Sequence, residues 1–201
     1  MFLSRKQTPN SHEKTSVGHT VLLYVHDLAY LIAIMMVVFL FLFRVVVVSG
    51  PSMNDTLVDG DYVLLLSNVF YKDPQPGDVI VASKDSFENG VPIVKRVIAT
   101  EGQTVDIDFR KSIVYVDDIA LEEPYISSPT NMFEGLHFPL TVDDGCVFVL
   151  GDNRSISSDS RNPKIGLIDE REILGKAIFL FLPGADSDTA QRDFTRIGVI
   201  P

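Results

Sequence analysis

The stretch Val45–Leu57 reads VVVVSGPSMNDTL: four consecutive valines, then a Ser-Gly-Pro-Ser turn. β-Branched residues favour extended backbone, and a Gly-Pro pair interrupts a regular element, so a strand starts here and is then broken. On the N-terminal side, Leu28–Phe43 carries no charge. Extended to Leu22 or Val48, that run gives about 20 residues, the length that crosses a hydrocarbon core of about 30 Å. The stretch is therefore the junction between a transmembrane helix and a β-fold, with Ser52 exposed on the turn as a candidate nucleophile.

Working outward, the chain divides into an N-terminal segment 1–20, a membrane helix 21–44, a β domain 45–183 and a tail 184–201. Arg44 closes the span, because its long guanidinium stem can reach the headgroups. Before Leu28 stand Arg5, Lys6 and Lys14 against Glu13 and Asp27, leaving 14 of the 17 basic and 25 of the 27 acidic residues beyond. Short basic flanks stay cytoplasmic, which places the acidic β domain outside the cell membrane. Cleavage of the helix as a signal peptide is disfavoured, since FRVVVVSGPS offers large residues where small ones are needed.

The net charge of −10 argues against nucleic acid as a partner. Cys146 is the only cysteine, so neither an intrachain disulfide nor a cysteine metal cluster can form. Of the four histidines, His12, His19 and His26 lie before or within the apolar run, and no HExxH pair occurs. A Ser-His-Asp triad would rest on His137 alone. No metal or organic cofactor is implied.

Beyond Arg44 the pattern changes to short apolar runs between turn residues: Tyr62–Leu66, Asp78–Ala82, Ile93–Ile98, Thr104–Asp108, Ile113–Val116, Cys146–Leu150 and Lys176–Leu182. Turn signals separate them, among them Asp59-Gly60, Pro76-Gly77 and Asn89-Gly90. The fold class is mostly β: one N-terminal transmembrane helix followed by a compact, partly closed antiparallel domain. Leu121–Pro139, with three prolines, reads as a loop excursion, and the tail from Gly184 as loosely held.

Strand alternation in PIVKRVIA puts Lys95 on the face of Ile93 and Val97, with Arg96 opposite. A lysine between apolar neighbours loses hydration, which lowers its pKa and frees an amine that can accept a proton. The alternative is a lysine that snorkels from a strand edge to water. A third segment, GDNRSISSDSR at Gly151–Arg161, is a polar loop at a strand end, and by itself it reads as an ordinary solvated turn.

Together, and in this order, SGPSMNDTLVDGD, PQPGDVIV, VKRVIATEGQTV and GDNRSISSDSR behind a membrane span resemble the type I bacterial signal peptidases. The resemblance runs from the anchor to Pro183. It implies a Ser/Lys serine endopeptidase that removes signal peptides from exported preproteins after Ala-X-Ala. Ser52 matches the nucleophile, Lys95 the general base, and Ser157 the hydroxyl that orients the amine. Asp159 and Arg161 match the charged pair that braces the site, and Asp152, Asn153 and Arg154 the structural members of the same loop. The Ser52 backbone amide is the expected oxyanion donor. Gly50 stands where some relatives place a second donor hydroxyl, leaving Ser49 or a water to substitute. Val48 and Val94 are candidate walls for small substrate side chains. The expected partners are preproteins and membrane lipid.

Two other classes meet the same residues less well. A tethered β-domain that only binds or assembles partners leaves Ser52, Lys95 and the GDNR loop unexplained. A self-cleaving repressor shares Ser/Lys chemistry but needs a DNA-binding helix pair in place of the lipid span.

Overall fold

The structure, a computed structural model, describes residues 17–185 and 190–201. The basic flank Arg5, Lys6 and Lys14, with His12 and Glu13, lies outside the described residues, as do 186–189 of the tail. The chain forms two compact units that divide after Leu40.

The first unit is dominated by α1, Val17–Leu42. Gly18–Leu42 has a mean hydropathy of 2.3 and none of its best window is buried. At 1.5 Å per residue its 26 residues extend about 39 Å, ample for a bilayer core. The helix starts earlier than the span expected from sequence and stops short of its end. Phe43 and Arg44 belong instead to a strand, opposite Leu66 and Leu65. The ladder to a neighbouring strand satisfies their backbone groups, so the extended preference of the valine run reaches two residues further back.

Among the described residues the second unit holds twelve strands: β1 Phe43–Val47, β2 Tyr62–Ser67, β3 Val79–Ala82, β4 Ile93–Thr100, β5 Thr104–Asp108, β6 Ile113–Val116, β7 Ile119–Ala120, β8 Leu140–Thr141, β9 Cys146–Leu150, β10 Ile168–Asp169, β11 Ile173–Leu182 and β12 Gly198–Val199. The larger sheet runs β1-β2-β11-β3-β4-β9-β10 with β12 added to β11; the smaller runs β7-β6-β5-β8. Every strand pair is antiparallel, as the short alternating runs required.

Strands β5, β6 and β9 occupy the ranges read from sequence. β11 begins at Ile173 rather than Lys176, with Gly175 inside it. A Cβ at Gly175 would stand 2.3 Å from the Leu66 carbonyl oxygen, so this crossing admits only glycine.

Expected to be loosely held, the tail is in fact tied down. β12 pairs with β11, Arg196 grips the buried Asp61 carboxylate at 2.7 and 3.0 Å, and Ile200 packs on the core around Val48, Met53 and Leu57. The Pro201 carbonyl accepts a bond of 2.7 Å from Arg96. Each contact pairs a tail residue with a partner far away in sequence, which local pattern cannot reveal.

Candidate active site

The turn after β1 is held from both ends. Val48 continues the strand by donating to the Asp61 carbonyl, and Gly60 donates back to the Val48 carbonyl at 2.9 Å. Gly50 adopts φ +86°, a left-handed conformation that glycine takes at little cost, and its N–H donates to the Asp59 carboxylate at 2.8 Å. Met53 and Leu57, both fully buried, pin the following turn to the core. Between these anchors sits Ser52, its carbonyl accepting from the Asn153 N–H at 3.0 Å. Among the described residues no backbone acceptor takes the Ser52 N–H, which leaves it available to an oxyanion. Gly50 has already committed its own N–H to Asp59, and Ser49 is exposed.

Lys95 reaches this turn from β4. Its Nζ lies 2.8 Å from Ser52 Oγ and 3.0 Å from the Val94 carbonyl oxygen. Only 4% of the residue is exposed, and its neighbours Ile93 and Val97 belong to one apolar cluster, as alternation required. Burial is the main cause that pushes the Lys95 amine down to about 8, against the opposing pull of Asp159, Glu134 and Asp152. Arg96 points elsewhere but is equally buried. It forms a two-point bond to Asp152 at 2.9 and 2.7 Å and stacks on Tyr125 at 4.1 Å.

The polar loop after β9 is interior rather than solvated. Asp152, Arg154, Asp159, Ser160 and Arg161 are all fully buried. Arg161 binds the Asp159 carboxylate through Nε at 2.8 Å and Nη2 at 2.9 Å, and Asp159 also accepts from the Gly151 N–H at 3.1 Å. Arg154 pairs with Glu123 of the loop Leu121–Pro139 at 2.5 Å and donates to Thr130 at 2.7 Å. Leaving either partner of such a buried pair alone costs about 3–5 kcal/mol, which makes this loop a rigid frame.

Ser157 is 3% exposed, and its hydroxyl has no hydrogen-bond partner among the described residues. The bond to Lys95 expected of it is not formed here; the amine is engaged by Ser52 and Val94. Val48 is buried at 3% exposure, with the half-buried Val94 packed against the same cluster. His137 lies beside the Phe133 ring, 5.7 Å between centroids, and makes no bond to Ser52.

Two participants escaped the sequence reading. Glu134 lies 3.1 Å from Arg161 and within electrostatic reach of Lys95. A lone acid in a proline-rich loop gives no signal of this. Gly151 packs so closely that a Cβ there would stand 2.2 Å from Ser157 Oγ and 2.5 Å from the Ser52 carbonyl oxygen. Its place at the head of GDNR was visible, but not its contact with the turn.

Residues 21–182 match the protein family described as signal peptidase, peptidase S26. Signal peptidase I of Bacillus licheniformis is 36% identical over 151 residues, covering 71% of this chain and 78% of that protein. Signal peptidase I T of Bacillus subtilis (strain 168) is 34% identical over 181 residues, covering 85% and 91%. A crystal structure of a signal peptidase I from Enterococcus faecalis V583 is 31% identical, with a TM-score of 0.42 over 52% of this chain and 97% of that one. With a family match that spans the helix and nearly all of the β-fold, the chain belongs to the signal peptidase family, peptidase S26, and is a serine peptidase.

Proposed function

We propose that this chain, anchored by α1, cleaves signal peptides from membrane-borne preproteins with Ser52 as nucleophile and Lys95 as general base. The observation that carries the reading is the 2.8 Å approach of a buried lysine amine to a turn serine. A neutral Lys95 suits the site: one N–H donates to the Val94 carbonyl, and at 2.8 Å the nitrogen lone pair can take the Ser52 O–H proton. An ammonium has no lone pair to take that proton, and burial disfavours its charge.

In this mechanism Ser52 Oγ bonds to the scissile carbonyl carbon as its proton passes to Lys95 Nζ. Negative charge gathers on the carbonyl oxygen, where the unengaged Ser52 N–H supplies a donor. Collapse of the intermediate breaks the C–N bond, and the Lys95 ammonium returns its proton to the departing amine. Water, deprotonated by the same amine, then releases the acyl group and restores Ser52.

An extended substrate fits the sheet. β9 pairs with β4 only from Arg96 onward, whereas β3 pairs with it from Ile93, so one edge of Ile93–Lys95 is open beside the nucleophile. A peptide added as a strand there meets Val94 and the Val48 cluster, which favours small side chains as in Ala-X-Ala. Lipid holds α1, with the β-fold on the outer face as the charge asymmetry requires. The test is incubation of the detergent-solubilised full chain with a purified preprotein, followed by N-terminal determination of the product. A single cut after Ala-X-Ala, absent with Ser52→Ala, is expected. Cutting that persists in Ser52→Ala would remove Ser52 from the reaction.

A further inference from the structure

Arg161 is wrapped by the loop Leu121–Pro139 as well as by its own loop. Its Nη1 donates to the Met132 carbonyl at 3.3 Å, its carbonyl accepts from the Leu136 N–H at 3.0 Å, and Nη2 meets Glu134 Oε1 at 3.1 Å. Two carboxylates, Asp159 and Glu134, thus share one guanidinium. The two-point bond to Asp159 already balances that cation. Of the other buried cations, Arg96 is balanced by Asp152 and Arg154 by Glu123. Glu134 is thus an acid in excess of the guanidinium it touches, and the contacts that run from Arg161 through Asp159 and Gly151 to the Ser52 turn put it in one cluster with Lys95.

We propose that Glu134 is a positioning residue for the reaction: its carboxylate, held on Arg161, sets the pH at which the Lys95 amine becomes a base. This rests on the Ser52–Lys95 reading. The groups that face the amine are Asp152, Asp159 and Arg161 from the polar loop and Glu134 from the preceding one. Those that face Glu134 are Asp159, Arg161, Asn162 and Lys95. The sign follows from charge: an ionised Glu134 favours the ammonium over the amine and delays the onset of activity as pH rises. Burial pushes the Glu134 carboxyl up to about 7 and the Lys95 amine down to about 8, so the two groups titrate in one pH range and each responds to the charge of the other. A residue that only braced the loop would change the height of the pH profile and not its position.

The experiment is the pH profile of kcat/KM for a short peptide substrate, measured in detergent on wild type, Glu134→Gln and Glu134→Met. Both variants keep the two-point bond of Asp159 to Arg161, and the methionine leaves no amide unpaired should the glutamine variant fail to fold. The acid limb is expected to move to lower pH by about 0.5 or more, as loss of an opposite charge at an effective dielectric near 20 requires. A limb that stays in place or moves to higher pH in the folded variants overturns the proposal. If a variant folds but is inactive, the pH dependence of acetylation of the Lys95 amine reads the same quantity, with the same two outcomes. Lys95→Arg, run alongside, separates the two failures: cutting by that variant would defeat the Ser52–Lys95 reading itself, whereas an unmoved limb with an inactive arginine variant defeats only the role of Glu134.

Discussion

The Ser52 carbonyl oxygen accepts the Asn153 N–H at 3.0 Å, so the Ser52 turn and the polar loop are joined through backbone. Gly151, two residues before Asn153, makes that junction possible. The site is preorganised by backbone contacts that no side-chain motif records.

Gly151→Ala is expected to lower kcat by at least about 100-fold, because the new methyl group must push the Ser52 turn or Ser157 away. KM for a short peptide should change less, since the open edge of β4 is untouched. Steady-state kinetics with the unfolding transition as a control checks this, and kcat within twofold of wild type would show that the contact is slack.

Ser157→Ala removes a hydroxyl that has no partner in the resting site, so stability is expected to stay within about 1 kcal/mol of wild type. Turnover should fall about tenfold if the hydroxyl steadies the amine once Ser52 has acylated. A large loss of stability, read from denaturant unfolding, would mean that Ser157 is part of the frame instead.

Removal of residues 1–42 takes away the anchor and leaves every strand of the β-fold. The shortened protein is expected to cut short peptides in detergent at rates near those of the full chain. It should process preproteins embedded in vesicles at least about tenfold more slowly, because a shared membrane raises the local concentration of substrate. Equal rates on both substrates would reduce the helix to an address.

Strand runs, the apolar helix and the Ser52, Lys95 and Gly151–Arg161 segments were legible because each signal is local: period-two alternation, an uncharged stretch, a cluster of small polar residues. The parts that were not legible are long-range. Glu134 reaches Arg161, Glu123 reaches Arg154, and Arg196 reaches Asp61 only after the chain has folded. The start of β11 was missed for a related reason: Gly175 lies inside the strand, where its close approach to Leu66 depends on a partner far away in sequence. The valine run, rather than Arg44, decided where the helix ends, because pairing with β2 outweighs the reach of a guanidinium to headgroups.

The account stands on a neutral Lys95 that takes the Ser52 proton, and Lys95→Arg tests this most directly. Arginine keeps the positive charge but stays protonated at every accessible pH, so a general base is lost while an electrostatic contribution is kept. Wild-type kcat/KM on a peptide substrate is expected to fall about tenfold for each pH unit below about 8, the value to which burial lowers the amine. At pH 9, Lys95→Arg is expected to be as inactive as Lys95→Ala, with both unfolding transitions intact. Cleavage by the arginine variant at more than about 5% of the wild-type rate would contradict the account, since no residue at that position could then be serving as the base.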